Sequence, residues 1–386
     1  MKHSYLKTLV LLLLSALAST AQVEVIKNEG ASIRVDLNGA AGSQAAKILE
    51  NDLESSGYFK TVSSGGEYVV QGSASSSSVQ AKLFSSDGSA ILSPSASGDL
   101  RHAAHKVADD IIFKLTGKKG FSESRISFIS DKSGHKELYV MDYDGFNAQK
   151  FTKDGSIVGS PNFSRQGSKI AFTSYRSGYP DVYVMSYPGG SRSKVASFPG
   201  LNSGAAFSPD GSKIALTLSK DGNPEIYVMS ADGGTPRRLT HSRGGKSSPT
   251  WSPDGSEIAY ASDEGGRPQI YLISSSGGTG RQITFSPAYN TEPDWSPESG
   301  LIAYSSLSGN QFAISVIDPE KGGGGSVVDD DGSCEDPSWA PNGRHIVFSR
   351  NTGGHSDLYI LDTKTRQAVQ LTRDFGNCTE PTWSGR

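Results

Sequence analysis

Cysteine is scarce in this chain: Cys334 and Cys378 are the only two among 386 residues. That is too few for a disulfide framework, so the fold has to rest on its hydrophobic core. Long apolar runs are equally scarce. The one present, Thr8–Ala18, has about half of the roughly 20 residues that a membrane span requires. It follows Lys2 and Lys7 and runs into Ser19, Thr20 and Ala21. That is the layout of an export leader cut after Ala21, with a membrane anchor as the alternative. Cleavage takes away Lys2 and Lys7 and leaves 35 basic against 40 acidic residues, a net of −5. A mild acidic balance argues against nucleic acid or an anionic membrane surface as partner. The leader is bacterial in style, so the expected product is a periplasmic, monomeric protein with no membrane span. Catalytic signatures are missing as well. There is no Gly-x-Ser-x-Gly elbow, no Walker-type loop and no zinc-ligand spacing, so neither a catalytic residue nor a cofactor is expected.

Hydrophobic residues make up only 35% of the chain, whereas glycine (45), tyrosine (15) and phenylalanine (15) are plentiful. This composition suits many short strands joined by tight turns. Beyond residue 125 an internal repeat takes over: Phe163, Phe207, Trp251, Trp295, Trp339 and Trp383 follow one another at an unbroken spacing of 44. Turns such as Ser208-Pro-Asp-Gly211 and Ser252-Pro-Asp-Gly255 follow these anchors, with proline, aspartate and glycine each at the turn position that suits it. A second strand comes next (Ile170-Ala-Phe172, Ile258-Ala-Tyr260), then a glycine-rich turn and a third strand (Ile226-Tyr-Val-Met229). A short fourth strand ends in Leu239-Thr240, Ile283-Thr284 or Leu371-Thr372. Four strands per 44 residues is a propeller blade. The strand Ile126-Ser-Phe128 has no anchor before it, and Trp383 has no second strand after it. The C-terminal strand is therefore predicted to complete the blade begun at Arg125, closing a six-bladed ring over residues 121–386.

Residues 22–120 lack the 44-residue period and are expected to form a small α/β domain with a linker. Val23–Ile26 and Ile33–Leu37 have strand character, and 40–56 is expected to be a helix with Ala45, Ile48, Leu49 and Leu53 on one face. Two or three strands fall within 67–92, with a turn at Asp87-Gly88 and a serine-rich loop at Ser73–Ser78. A second helix over 99–116 is capped by Ser97 or Asp99 and stopped by Gly117. The fold class is thus mainly β, a six-bladed propeller with a small N-terminal α/β domain.

Segments Arg101–Gly120, Asp142-Tyr-Asp-Gly-Phe-Asn147, Ala206–Lys213 and Asn290-Thr-Glu-Pro-Asp-Trp295 resemble the TolB family of periplasmic propellers of the Tol–Pal system. The resemblance implies a non-enzymatic scaffold that supports outer-membrane integrity and constriction during division. It would bind the peptidoglycan-associated lipoprotein, Pal, at the propeller mouth, and TolA through the segment Gln22, Val23, Glu24, Val25 and Ile26, which otherwise has the pattern of an edge strand. By the same likeness Leu201, Asn202, Gly204, Asn290 and Thr291 belong to the mouth. The residues themselves add Glu292, Asp336 and Glu380, each three positions before an anchor, with Glu335 and Asp329–Asp331 nearby. A carboxylate cluster of this kind steers a basic partner or is simply a solvated rim.

Cys334 and Cys378 hold equivalent positions in adjacent blades; a disulfide between them needs Cα atoms about 4.4–6.8 Å apart. The acidic runs Asp142–Gly145 and Asp329–Gly332 lack the ligand offsets of a calcium loop. His102 and His105, without further ligands in sequence, are expected on a partly exposed helix face. Two rival functions remain, an accessory propeller of a peptidase and a cell-wall glycan-binding propeller that uses its blade aromatics.

Overall fold

The computed structural model describes residues 32–39, 44–285, 289–328 and 332–385. The leader, the Gln22–Ile26 segment and Asp329–Asp331 lie outside these residues. Among the described residues no helix is long and apolar enough to cross a membrane. Residues 32–386 form one compact unit.

The α/β part is built on alternation. Strand β1 (Ile33–Gly39) buries Ile33, Val35 and Leu37 while Arg34 stays exposed. Helix α1 (Gln44–Ser55) buries Ala45, Ile48, Leu49 and Leu53, the face read from the 3.6 period. The strands β2 (Phe59–Val62), β3 (Tyr68–Ser75), β4 (Ser78–Ser85), β5 (Ala90–Leu92) and β6 (Ser95–Ser97) complete a sheet of order β2-β1-β3-β4-β5, with β6 also on β4. The expected serine loop at 73–78 is instead the tip of the β3–β4 hairpin, pairing Ser73 with Gln80 and Ser75 with Ser78. Ladder hydrogen bonds carry that tip, since its side chains are exposed and contribute little packing. Two strands, β2 and β6, are missing from the sequence reading because runs of three or four residues carry no usable period. Helix α2 (Leu100–Thr116) starts at Asp99, whose carboxylate accepts the His102 N–H at 3.0 Å. It ends at Gly117, where φ is +67° and the N–H bonds Phe113 O. Both helices pack on the sheet around one core.

Six four-stranded blades follow. The first contains β7 (Arg125–Ser130), β8 (Glu137–Asp142) and β9 (Gln149–Lys150), and its innermost strand is Cys378–Trp383, pairing Trp383 with Ile126. The other innermost strands are Val158–Phe163, Asn202–Phe207, Lys246–Trp251, Asn290–Trp295 and Ser333–Trp339. Six hydrophobic clusters lie one between each pair of neighbouring blades. The Leu-Thr pairs read as strand ends lie just past the fourth strands. There the threonine hydroxyl accepts a third-strand N–H, as Thr240 does from Ile226 at 2.9 Å and Thr372 from Leu358 at 2.9 Å.

The innermost strands are also linked around the channel. The residue before each anchor offers a side-chain oxygen to the anchor N–H of the next blade. The Phe207 N–H bonds Asn162 Oδ1 at 3.0 Å, Trp295 bonds Thr250 Oγ1 at 3.3 Å, and Trp339 bonds Asp294 Oδ2 at 2.7 Å. The series continues with Trp383 on Ser338 Oγ at 3.1 Å and Phe163 on Thr382 Oγ1 at 3.2 Å. Ala206 has no such oxygen, and the Trp251 indole N–H bonds its carbonyl at 3.0 Å instead.

Closure rests on few residues. Trp383 is 6% exposed, and Ser384 exchanges two 2.8 Å hydrogen bonds with Arg125. Removing residues 377–386 is expected to lower stability by at least the roughly 3–5 kcal/mol typical of deleting one buried tryptophan. Denaturant titration of the truncated protein checks this, and an unchanged midpoint would count against ring closure.

Asp294 supplies a pH test. Burial raises its carboxyl from 3.8 to about 6, against the Trp339 N–H, Ser338, Thr250 and Arg165, which all favour the charge. A raised value means stability is full below pH 4 and falls as pH climbs through 6, by up to about 3 kcal/mol. Asn162 performs the same bond three positions round the repeat series without a charge. Asp294→Asn should therefore lose this pH dependence, matching the parent near pH 4 and exceeding its stability at pH 8. Denaturation midpoints at the two pH values decide it.

Candidate functional site

Three positions before each anchor stand Ser160, Gly204, Ser248, Glu292, Asp336 and Glu380. All six have φ between 49° and 62°, a region that residues other than glycine rarely enter. The ladder register shifts at this point in each blade, which marks a bulge. The bulge turns this position and the one before the anchor toward the channel together. Five of the six blades place a proline immediately after it, at 161, 249, 293, 337 and 381. Proline cannot donate to a ladder and belongs at an edge or bulge. That recurring proline was the sequence signal for the bulge.

Glu292, Asp336 and Glu380 are therefore channel-wall residues within strands and not members of a loop rim. Each carboxylate accepts the backbone N–H of the equivalent residue in the next blade. Asp336 N–H bonds Glu292 Oε2 at 3.1 Å, Glu380 N–H bonds Asp336 Oδ2 at 3.1 Å, and Ser160 N–H bonds Glu380 Oε2 at 2.5 Å. Ser305 adds a 2.7 Å bond to Glu292. Burial raises all three carboxyls, and for Asp336 the charges of Glu292 and Glu380 raise it further. The walls enclose a cavity of about 150 Å³.

The mouth above this ring carries exposed apolar side chains. Ile157 (56% exposed), Tyr179 (76%) and Phe285 (77%) stand there with Tyr175 and Tyr289. All five belong to loops that enter an innermost strand or leave a second strand, the end of the blades nearest the acids. The α/β layer lies at the other end. Its contacts are with the turn after β8 and the segment around Arg344, whose guanidinium stacks 4.7 Å from the Tyr58 ring. A second cavity of about 360 Å³ opens there, lined by the tryptophan anchors, Arg165 and Lys119.

The remaining expected mouth residues are mostly structural. Asn202 is buried and ties its own loop through Phe198 N–H, Phe198 O and Gly200 O. Asn290 is buried, donating to Gln269 Oε1 at 2.8 Å. Leu201 is half-buried with its N–H on Ser219 Oγ, Thr291 is half-buried, and Gly204 is the glycine of the positive-φ ring. Cys334 and Cys378 occupy the same buried strand-start position as Asn202, Lys246 and Asn290. No disulfide joins them. Each is sunk into a different inter-blade core, Cys334 with Trp339 and Phe348 and Cys378 with Phe128 and Trp383. Burial raises the Cys378 thiol to about 11.

His102 and His105 do not share one exposed face. The His102 side chain is 42% exposed, but that of His105 is 2% exposed, its Nδ1 lying 2.7 Å from Asp52 Oδ2. Only the packing of α1 onto α2 brings Asp52 within reach. Asp142 and Asp144, weighed as a calcium loop, are engaged by arginines: Asp142 by Arg125 at 3.1 Å, and Asp144 by Arg101.

Residues 112–386 match the PD40 family, described as the TolB beta propeller domain. Among curated relatives, the Tol-Pal system protein TolB of Geobacter sulfurreducens is 48% identical over 69 residues, covering 18% of this chain. That of Ruegeria sp. is 45% identical over 71 residues, covering 17%. The chain spans only 16% of the length of each of these relatives in the match. Among solved structures, TolB from Acinetobacter baumannii superposes with a TM-score of 0.81 at 26% identity, over 94% of this chain and 98% of that one. A putative TolB from Agrobacterium tumefaciens shares the fold, with a TM-score of 0.52 at 21% identity over 64% of this chain and 88% of that one. This chain belongs to the TolB β-propeller family.

Proposed function

We propose that the chain is a periplasmic binding scaffold of the Tol–Pal system and not an enzyme. In this reading it docks the peptidoglycan-associated lipoprotein at the acid-lined mouth and engages TolA through Gln22–Ile26, supporting outer-membrane integrity and constriction. The observation that carries it is the mouth itself. Ile157, Tyr175, Tyr179, Phe285 and Tyr289 are exposed on loops of two blades at the end where carboxylates line the channel, while the α/β layer sits at the opposite end. Exposed aromatics around a polar recess are the composition of a protein-docking surface, where such side chains supply most of the binding energy. The glycan-binding alternative drew on the blade aromatics, but the six anchors are only 4–7% exposed and are committed to the inter-blade cores.

Titration calorimetry of the full mature chain with the soluble domain of the lipoprotein tests the docking surface. Tyr179→Ser and Phe285→Ser are each expected to weaken binding about tenfold, or about 1.4 kcal/mol. Phe113→Ser, on exposed α2 surface away from the mouth, should stay within about twofold of the parent. Equal affinities across the three variants would overturn the assignment of this mouth. Deleting residues 22–26 should abolish capture by TolA and leave lipoprotein binding unchanged.

A further inference from the structure

The most unusual polar cluster outside the channel sits where the α/β layer meets the first blade. His105 on α2 is 1% exposed and has a carboxylate at each end of its ring. Asp52 of α1 lies 2.7 Å from Nδ1, and Asp144, in the turn between β8 and β9, lies 3.9 Å from Nε2. The Tyr143 hydroxyl from the same turn donates to the other Asp52 oxygen at 2.6 Å and receives the Asn51 amide at 3.2 Å. We propose that His105 is a proton-operated clamp: its imidazolium bridges Asp52 and Asp144, holds the α/β layer on the propeller, and releases its grip when the proton leaves.

The charge balance supports the imidazolium. Asp52, Asp142 and Asp144 face the junction, and Arg101 and Arg125 are the cations that engage the latter two. Three carboxylates against two guanidiniums leave one negative charge in a dry site, where an uncompensated charge is costly. A proton on His105 cancels it. The other ionisable neighbours are committed elsewhere. Asp109, one turn on, accepts the Ser122 N–H at 3.1 Å, and exposed His102 lies 3.8 Å from Glu123. Burial opposes a charge on His105, and so does Arg101, whose Nη2 lies 3.5 Å from Nε2; the Asp52 hydrogen bond and the charges of Asp52 and Asp144 outweigh both, so its titration moves upward. Burial also raises Asp52, so the pair competes for one proton. The ring between two carboxylates, with Tyr143 donating to Asp52, favours the imidazole as its seat.

The same groups fit a metal poorly. A single ion can take only one of the two ring nitrogens, and they face opposite carboxylates. Arg101 already occupies Asp144, and Tyr143 occupies Asp52. His345, in the same junction, is a natural contrast. It has no carboxylate bonded to its ring, and burial lowers it to about 4, so it stays neutral throughout the range where His105 switches.

The sign follows from the upward shift. The clamp's stabilisation is complete below the free-histidine value of about 6.5 and fades as pH rises through the higher folded value. The test uses the full chain. Amide exchange of residues 100–116 and 142–147 is measured at pH 6 and pH 8.5, corrected for the intrinsic rate. Protection in both segments is expected to fall at least tenfold at the higher pH, while the propeller core strand Lys213–Leu218 stays protected. His105→Gln should show the low protection at both pH values. Asp144→Asn, a milder change that preserves the fold if His105→Gln does not, should at least halve the pH response. Nitrogen-15 chemical shifts of the His105 ring should report an imidazolium at pH 7. A neutral ring at pH 6, pH-independent protection in the parent, or a full pH response in Asp144→Asn would overturn the clamp. So would stabilisation by equimolar zinc in the parent but not in His105→Gln, which would make the cluster a metal site.

Discussion

The innermost strand of every blade has one edge with no strand to pair with, and all six such edges face one channel. An unpaired edge is a liability in any sheet. Here the preceding blade answers it with side chains. Asn162, Thr250, Asp294, Ser338 and Thr382 take the anchor N–H groups, and Glu292, Asp336 and Glu380 take the N–H groups three residues earlier. The two sets require both positions to point inward, and the positive-φ bulge makes that geometrically feasible. Closure of the ring, a polar channel and carboxyls raised by burial are consequences of the same requirement.

That arrangement also gives the propeller two unlike ends. At one, the acids lie just beneath loops that expose Tyr179 and Phe285. At the other, the anchors and Arg165 line a second cavity, and the α/β layer packs on the neighbouring turns. Two buried histidines at this second end titrate in opposite directions. His105 has Asp52 and Asp144 against its ring and moves up, whereas His345 sits beside Phe121, 4.7 Å between ring centroids, and moves down. The difference comes from neighbours supplied by other elements and not from the helix or strand that carries each ring.

Much of this was legible from the chain alone. The 44-residue series of aromatic anchors defines the blades, and the offset between Ile126 and Trp383 identifies the closing strand. Helix α2 was readable because Asp99, Gly117 and the spacing of Ala104, Val107, Ile111 and Leu115 agreed. Short strands were not, since Phe59–Val62 and Ser95–Ser97 are too brief to show a period. The spacing of the acids groups them, but it does not show that they stand in the channel wall, because alternation assumes a regular strand and a bulge breaks it.

Periodic features follow from local sequence because each repeat solves the same packing problem with the same residues. The number of blades, the order of strands within them and the mouth toward which the acids lie were therefore determined by the sequence itself. What only the tertiary structure decided are meetings between elements with no fixed separation along the chain. Asp52 reaches His105 across 53 residues, and Asp144 reaches the same ring from another layer. Cys334 and Cys378, equivalent in sequence, are kept apart by cores that close separately around each. Burial and charge act through distance in space, and no spacing along the chain encodes that distance until the layers have packed.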